Sequence, residues 1–540
     1  MPEILIANGL LYDGTGKEPF FGSVLIDDDR ISKIFRGKTD LKQWKKKSGL
    51  MLINAAGRAV TPGFIDIHRH CDIQPFFGTE FGVPVLAQGI TTVVAGNCGF
   101  SMAPVSEDEK IAEETYSFAE PVLGKPYRKI KSFEAYMNYL DQVRLPVNFV
   151  SMIGCGTVKT AVKGFSSAPF TDEEMEKAVR YIDEALTVGA AGVSAGIMYI
   201  PECYNSVKDY VRMLKPLKKY GVPLCVHMRG EGDSLTASVK EVIEIGKLAE
   251  CPVEISHFKS CGKENWRKEI YKAIQLIEDA RSGEQDVTCD FYPYDGGSTS
   301  LTTMIPPAFV AGDMKRALLE LGTEEGVKRF RCALEHTWSD WDNYATTLGW
   351  ERIIISGVNK AENQRFVGKT VSDAAKDSGF ESAADFAAWI MNDEDGKVAI
   401  INMSMCQEDI DEVAKLPYSC VISDSIYAET DKPHPRMYGA FPKILREYVR
   451  ERHVLSMENA IYKMTALPAM RMKIAGRGKL EEGYFADINI FDPVKFKDTA
   501  TYDKPAQLAE GLEKCFVNGK LAWEDGKICD DGCGKNLRRR

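Results

Sequence analysis

Between residues 61 and about 300, short apolar runs rich in β-branched residues alternate with longer amphipathic stretches. This alternation is typical of βα units that build a parallel sheet. Seven runs in this region predict strands, and an eighth predicted strand follows after more than a hundred further residues. The predicted strands cover residues 64–68, 91–97, 147–154, 192–197, 223–228, 252–258, 286–294 and 419–424. Eight such units predict an α/β fold, a TIM-type (β/α)8 barrel with an insertion before the last strand at about residues 300–415.

The two ends of the chain have a different pattern. Alternating apolar and polar residues, as in GSVLIDDDRISKI, predict β-hairpins over residues 1–60. Stretches near the other end, such as KCFVNGKLAWEDGKI, are also typical of strands. Because the two ends of a domain often lie close together, we expect residues 1–60 and 476–540 to form one small β-sandwich domain. The barrel then occupies residues 61–475.

Composition narrows the classes of protein that need be considered. The 540 residues are 44% hydrophobic and 27% charged, with a net charge of −10 and no basic cluster before the three terminal arginines. This charge argues against a nucleic-acid or anionic-membrane partner. No signal-peptide pattern and no bilayer-spanning apolar run are found, so we expect a cytoplasmic protein with reduced thiols among its fourteen cysteines. The oligomeric state is not predicted.

The stretch GFIDIHRHCD, residues 63–72, places His68 and His70 two positions apart at the end of the first predicted strand. Residues two apart on a strand project from the same face, so this pair is able to share one metal ion. The alternative for an isolated pair is one surface histidine and one histidine bonded to a backbone carbonyl.

Other residues with metal-binding side chains also lie at the C-terminal ends of predicted strands, where the side chains of a barrel converge. Four of the seven histidines of the chain belong to this set. Its members are His68, His70, Cys98, His227, His257 and Asp424. Imidazole, thiolate and carboxylate are the ligands that zinc accepts. We therefore predict a metal site from these six residues and assign no catalytic role to His336, His434 or His453.

Several motifs resemble the D-aminoacylase (N-acyl-D-amino-acid deacylase) family of the amidohydrolase superfamily. They are TPGFIDIHRH, TTVVAGNCG, SHFK, YPYDGGST, HPRMYGAFP and GKLEEGYFADINIFDP, and the resemblance covers nearly the whole chain. It implies zinc-dependent hydrolysis of the amide bond of a small molecule, an N-acyl-D-amino acid, to a carboxylate and a free D-amino acid. The preference for the D configuration rests on this resemblance alone.

The resemblance also implies roles for individual residues. A tightly bound zinc ion is expected on Cys98, His227 and His257, and a second, weaker site on His68, His70 and Asp424 with Cys98 shared. Asp424 is expected to take a proton from water as general base and return it to the leaving amine. The residues expected to bind the α-carboxylate of the substrate are Tyr199, Lys259, Ser298 and Arg436.

Three alternatives stay open at this point. A cyclic amidase of the hydantoinase or dihydropyrimidinase type would use the same barrel and metal ligands. Gly192 to Gly196 matches the Gly-x-Ser-x-Gly motif of serine hydrolases, although it lies within a predicted strand. A non-catalytic scaffold would be expected to lose ligands. Departures from the family pattern at Cys71, at Ser425 and in the acidic loop 427–433 leave the acyl and side-chain preference undetermined.

Overall fold

The computed structural model describes residues 3–539 except positions 126, 337, 339, 340, 428, 429 and 431. Arg540 of the terminal arginine cluster and Glu429 and Asp431 of the acidic loop lie outside the described residues. The strands of the described residues are β1 Ile4–Leu11, β2 Phe20–Asp27, β3 Arg30–Arg36, β4 Met51–Asn54, β5 Ala59–Pro62, β6 Phe64–Asp66, β7 Arg69–His70, β8 Ile90–Ala95, β9 Asn148–Ser151, β10 Ile153–Gly154, β11 Val193–Gly196, β12 Leu224–His227, β13 Val253–Ile255, β14 Val287–Phe291, β15 Gly297–Ser300, β16 Ile353–Gly357, β17 Ala399–Asn402, β18 Ser419–Val421, β19 Ser425–Ile426, β20 Ile488–Phe491, β21 Leu512–Val517, β22 Lys520–Glu524 and β23 Lys527–Ile528.

Helices alternate with the central strands. The α-helices are α1 Leu41–Trp44, α2 Gly82–Leu86, α3 Glu109–Leu123, α4 Phe133–Leu140, α5 Cys155–Lys163, α6 Asp172–Thr187, α7 Val207–Met213, α8 Leu217–Tyr220, α9 Leu235–Ala249, α10 Glu269–Ser282, α11 Pro307–Val310, α12 Met314–Glu320, α13 Glu324–Glu335, α14 Tyr344–Thr347, α15 Val371–Asp377, α16 Ala383–Asp393, α17 Gln407–Lys415, α18 Arg436–Lys443, α19 Met457–Met464 and α20 Ala466–Arg471. Short 3-10 helices cover Gln74–Phe76, Glu202–Tyr204, Leu301–Met304, Trp350–Arg352 and Ala361–Phe366, and a π-helix covers Ile444–Glu451. None of the helices in the described residues has the length and apolar character needed to cross a membrane.

Two parallel sheets form the centre of the fold. One has the order β6-β8-β9, and the other has the order β10-β11-β12-β13-β14-β18. A strand coincides with each of the eight stretches predicted from the sequence, although β8 begins at Ile90, one residue before its predicted stretch. Every residue of these strands is buried, which explains why their sequences are continuous apolar runs rather than alternating ones. These sheets place the C-terminal ends of successive strands at one edge, where the predicted ligands lie.

The junctions between these sheets are short. Only Met152 separates β9 from β10. At the other edge, β19 pairs in parallel with β7, with Ser425 opposite Arg69. The amide of Asp424 donates a hydrogen bond of 2.9 Å to the carbonyl of His68. The last parallel strand is therefore tied to the first at the level of the candidate ligands.

Strands from both ends of the chain form a separate nine-stranded sheet. Its order is β23-β22-β21-β20-β5-β1-β2-β3, and β4 also pairs with β1. The central pairing of β5 with β20 is antiparallel and joins the first part of the chain to the last. Ile6, Val24, Ile488 and Phe516 belong to the apolar cluster that covers this sheet.

Residues between β14 and β18 fold around a core of their own. The antiparallel sheet β15-β17-β16 packs with α11 to α16. Phe330, Ile353, Phe386 and Ile400 are fully buried in this cluster. This inserted segment lies over the edge where the candidate ligands meet, because its residues Ser298, Tyr344 and Asn402 line the same pocket as those ligands.

Candidate metal centre

The six predicted ligands lie at the C-terminal ends of parallel strands, but several lie beyond the strand rather than in it. β6 ends at Asp66, because the Asp66 carboxylate accepts hydrogen bonds from the amides of His68 (3.4 Å) and Ser423 (3.1 Å). The predicted strand 64–68 is therefore too long at its end. Likewise β13 ends at Ile255, so the predicted strand 252–258 is also too long at its end, and His257 lies beyond the strand.

Three of the ligands have a left-handed backbone conformation. The φ angles of Cys98, His257 and Asp424 are 53°, 37° and 49°. This region costs a residue with a Cβ roughly 1–2 kcal/mol and often marks a functional site. At Gly96, before Cys98, an added Cβ would lie 2.1 Å from the carbonyl oxygen of Met152. The tight turn that presents the Cys98 thiol therefore requires glycine there.

These turns bring all six side chains into contact in the buried interior. Cys98 Sγ lies 3.2 Å from His68 Nε2 and 3.4 Å from His257 Nε2. Asp424 Oδ1 lies 3.4 Å from His68 Nε2 and 3.3 Å from His70 Nε2. The donor atoms of Cys98, His227 and His257 all lie within 4.8 Å of one another, as do those of His68, His70 and Cys98.

The donor distances fit a shared metal ion. Around a tetrahedral zinc ion, the standard bond lengths place a sulfur and a nitrogen ligand ~3.5 Å apart, and a nitrogen and an oxygen ligand ~3.4 Å apart. The observed separations of Cys98 from His68 and of Asp424 from His70 are close to these values. Mixed nitrogen, sulfur and oxygen donors are also the set that zinc accepts.

Burial sets the protonation of the cluster. It lowers the pKa of His68 to about 4 and the pKa values of His227 and His257 well below 6.5, so these imidazoles are in the neutral form that binds metal. Burial and the nearby carboxylates of Asp424 and Asp290 raise the pKa of the Cys98 thiol. A cation in the cluster would be needed to hold that thiol as thiolate.

Glu231 and Lys259 form a buried pair behind His257. Lys259 Nζ lies 2.6 Å from Glu231 Oε1 and 2.7 Å from His257 Nδ1, and Glu231 Oε1 lies 3.0 Å from that same Nδ1. In the structure the hydrogen bond at Nδ1 is with Lys259; once Nε2 binds a metal, Nδ1 would carry the proton, and Glu231 Oε1, 3.0 Å away, would be the acceptor in place of that bond. A carboxylate in this position fixes the tautomer and orientation of a ligand histidine. Sequence reasoning did not identify Glu231.

Asp342 of the inserted segment holds the turn that carries Glu231. Its Oδ2 accepts hydrogen bonds of 2.7 Å from the amides of Glu231 and Gly232, and its Oδ1 accepts one of 3.0 Å from the amide of Ser234. The side chain is buried, with 4% of its surface exposed. The inserted segment thus positions a residue that contacts a ligand histidine.

Arg436, at the start of α18, lies against Asp424. Its Nη1 is 2.8 Å from Asp424 Oδ2, yet no acceptor among the described residues is aligned for a hydrogen bond with its three guanidinium nitrogens. Burial acts to raise the pKa of Asp424, but Arg436 and the neighbouring histidines hold it well below the usual value. His434, which was assigned no catalytic role, accepts a hydrogen bond of 3.0 Å from the Arg436 amide and so anchors the start of this helix.

The pocket around these groups is narrow, with about 40 Å³ of open space. All four residues expected to bind a substrate carboxylate line it: Tyr199, Lys259, Ser298 and Arg436. Tyr199 OH lies 3.5 Å from His227 Nδ1. Tyr292, which sequence reasoning missed, also lines the pocket, with the guanidinium carbon of Arg436 4.6 Å from its ring centre.

Asp290, also missed, lies at the end of β14 behind the ligands. Its carboxylate accepts a hydrogen bond from the His257 amide, and its Oδ2 is 3.6 Å from His68 Nδ1. The sequence feature that could have identified Asp290 is an acidic residue in the middle of the apolar run DVTCDFYPY, residues 286–294. In contrast, Ser194 of the Gly-x-Ser-x-Gly motif lies inside β11, and its hydroxyl accepts a hydrogen bond of 3.0 Å from the Gly99 amide.

Comparisons with known proteins extend over nearly the whole chain. A model described as Amidohydrolase family matches residues 369–522. The chain is 30% identical to a D-aminoacylase of Alcaligenes xylosoxydans xylosoxydans over 99% of this chain and 98% of that protein. It is 30% identical to an N-acyl-D-aspartate deacylase of the same organism, over 97% and 92% of the two chains. The structure of N-acyl-D-glutamate deacylase from Bordetella bronchiseptica, complexed with zinc and a phosphonate inhibitor, is similar with a TM-score of 0.83 at 27% identity and covers 99% of both chains.

Proposed function

The chain belongs to the D-aminoacylase (N-acyl-D-amino-acid deacylase) family of amidohydrolases, and we propose that it hydrolyses the amide bond of N-acyl-D-amino acids with zinc. The observation that carries the proposal is a buried cluster of six metal-binding side chains, five of which line a pocket together with two cationic side chains, Lys259 and Arg436. The products are a carboxylate and a free D-amino acid.

The residues present fit the metal that the family implies. We propose that Cys98, His227 and His257 hold one zinc ion tightly. A second, weaker site shares Cys98 and adds His68, His70 and Asp424. Zinc bound by these ligands would act as a Lewis acid. It would lower the pKa of a water molecule toward ~7 and polarise the amide carbonyl.

Asp424 is the proposed proton carrier. Its low pKa keeps it ionised at neutral pH, so it is ready to accept a proton from the attacking water as the new C–O bond forms. It then donates that proton to the amide nitrogen as the C–N bond breaks, and the amine leaves neutral. One carboxylate thus serves both steps, and it ends in the form in which it began.

Arg436 and Lys259 are proposed to bind the α-carboxylate of the substrate. Arg436 offers a planar fork of N–H donors: Nη1 lies 2.8 Å from Asp424 Oδ2, and none of the three nitrogens makes an aligned hydrogen bond with a described residue. Lys259 is held in place by Glu231 and adds a second positive charge. Ser298 and Tyr199 supply hydroxyl groups in the same pocket.

For the architecture, we propose that the two parallel sheets form one closed (β/α)8 barrel. The single residue between β9 and β10 and the pairing of β19 with β7 support closure. We also propose that residues 61–475 are the barrel with an insertion at about 300–415, and that residues 1–60 and 476–540 form the β-sandwich domain. A cytoplasmic location, and action without a nucleic-acid or membrane partner, remain predictions.

The test is release of free amine from N-acetyl-D- and N-acetyl-L-amino acids by metal-stripped protein before and after zinc is restored. Hydantoin and dihydrouracil ring opening is followed in parallel. Zinc-restored turnover of D-amides is the expected result. Ring opening without amide hydrolysis would contradict the proposal and identify a cyclic amidase.

A variant pair tests the carboxylate site. Arg436→Gln is expected to raise KM for N-acetyl-D-amino acids at least tenfold, because it removes a charged partner of the substrate carboxylate. Arg446→Gln is the matched control, since Arg446 forms ion pairs with Asp498 and Glu451 instead. Equal KM values in the two variants would refute the role of Arg436.

A further inference from the structure

We propose that a large cleft beside the metal pocket binds the acyl half of the substrate, and that the preferred substrates carry a long apolar acyl chain rather than acetyl. The proposal rests on the function proposed above and adds a substrate class to it. The cleft has a volume of about 1090 Å³, slightly above the range of ~300–1,000 Å³ found for sites of drug-sized ligands.

The cleft adjoins the metal pocket. Four residues line both: Val122, Met198, Tyr199 and Thr299. The pocket itself has only about 40 Å³ of open space, so a long chain has no room there. For a substrate with its amide at the metal ligands, we place any large group past these four residues, in the cleft.

A series of aromatic rings leads from the metal ligands along this cleft. Phe100 lies 6.4 Å from His70 between ring centres, and Phe118 stacks on Phe100 at 4.6 Å. Phe165 follows at 6.5 Å from Phe118. All three phenylalanines line the cleft. They provide a continuous apolar wall on one side, and the inserted segment supplies Ile305 and Leu318 on the other.

Three of the four residues proposed to bind the α-carboxylate are absent from the lining of the cleft, and the fourth, Tyr199, lines both spaces. Lys259, Ser298 and Arg436 line the metal pocket but do not line the cleft. The half of the substrate that carries the carboxylate is thereby directed to the pocket, and the cleft is left for the acyl half.

The charges that line the cleft nearly balance one another, since four lysines and five carboxylates line it. Several are already in ion pairs: Lys397 Nζ lies 3.2 Å from Glu120, and Lys163 Nζ lies 2.8 Å from Glu174. Such a wall does not favour an acyl group with a charge of either sign. The apolar inner wall instead favours an alkyl chain.

The experiment measures kcat/KM of the zinc-loaded full chain for four derivatives of one D-amino acid. Their acyl groups are acetyl, butanoyl, hexanoyl and octanoyl. Burial of each methylene group is expected to raise kcat/KM about fourfold, so the hexanoyl substrate, with four more methylene groups, should exceed the acetyl substrate roughly 200-fold. A second series keeps the acetyl group and lengthens the amino-acid side chain.

Two variants locate the effect in the cleft. Thr303→Trp places an indole in the cleft lining and is expected to bring the octanoyl-to-acetyl ratio of kcat/KM close to one. Phe165→Ala removes the outer, partly exposed ring and is expected to lower that ratio at least threefold. Thr187→Trp is the matched control for the first variant, because Thr187 is exposed at the end of α6 and does not line the cleft. Phe20→Ala, in the terminal sheet, is the control for the second.

The failures of the two proposals are distinguishable. Hydrolysis of N-acetyl-D-amino acids without any gain from a longer acyl chain would overturn the inference and leave the proposed function intact. A gain that follows the side-chain series instead would assign the cleft to the amino acid and also overturn it. Failure to hydrolyse any N-acyl-D-amino acid would contradict both the proposed function and the proposed preference for a long acyl chain.

Discussion

Glu231→Gln removes a negative charge from behind His257 while keeping the shape of the side chain. In the structure Glu231 Oε1 lies 3.0 Å from His257 Nδ1 and 2.6 Å from Lys259 Nζ. Both contacts are buried, because 6% of the Glu231 side chain is exposed. The substitution therefore weakens the support of a metal ligand and leaves a buried lysine without its counter-charge.

Two effects of different size follow. Loss of a carboxylate that orients a ligand histidine typically weakens metal binding by 10- to 100-fold, or roughly 1.4–2.8 kcal/mol. Removal of one partner of a buried ion pair costs about 3–5 kcal/mol of stability. We expect about 3 kcal/mol, since the glutamine carbonyl still accepts a hydrogen bond from Lys259.

Zinc affinity is measured by competition with a chelator, and stability by thermal and denaturant unfolding of the metal-free protein. Glu241→Gln is the matched control, because Glu241 pairs with Arg229 at 2.8 Å in a partly buried site away from the ligands. If the zinc affinity of Glu231→Gln stayed within twofold of that of Glu241→Gln, the orienting role of Glu231 would be refuted.

Three further predictions concern the proton carrier, the inserted segment and a buried acid. Asp424→Asn is expected to lower kcat for amide hydrolysis about 10²- to 10⁴-fold in steady-state assays at saturating zinc, and full activity would exclude Asp424 as the proton carrier. Asp342→Ala removes three hydrogen bonds to the turn at residues 231–234 and is expected to cost at least about 2 kcal/mol in denaturant unfolding. A destabilised variant with unchanged zinc affinity would show that the turn holds its position without Asp342. Burial raises the pKa of Glu202 to about 7 from 4.5, so its stabilising contribution is complete below pH 4.5 and is lost as the pH rises through 7. From pH 5 to pH 8 the wild type should lose roughly 2–3 kcal/mol more stability than Glu202→Gln, and parallel pH profiles of the two proteins would contradict this.

The sequence by itself determined the positions of the central strands and the six candidate ligands. A buried parallel strand must be a continuous apolar run, so the pattern of such runs locates it without knowledge of its neighbours. The side chains that follow those runs lie at one edge of the sheet, which is why His68, Cys98 and Asp424 are predicted together from positions far apart in the chain.

Tertiary structure alone decided the contacts that support and surround this cluster. Glu231 reaches His257 only because Asp342, more than a hundred residues later, holds its turn. Strand β6 ends at Asp66 because its carboxylate bonds to the amide of Ser423. The large cleft exists because the inserted segment faces α3 across it. Such features depend on the relative placement of distant segments, and local apolar and polar patterns carry no information about that placement.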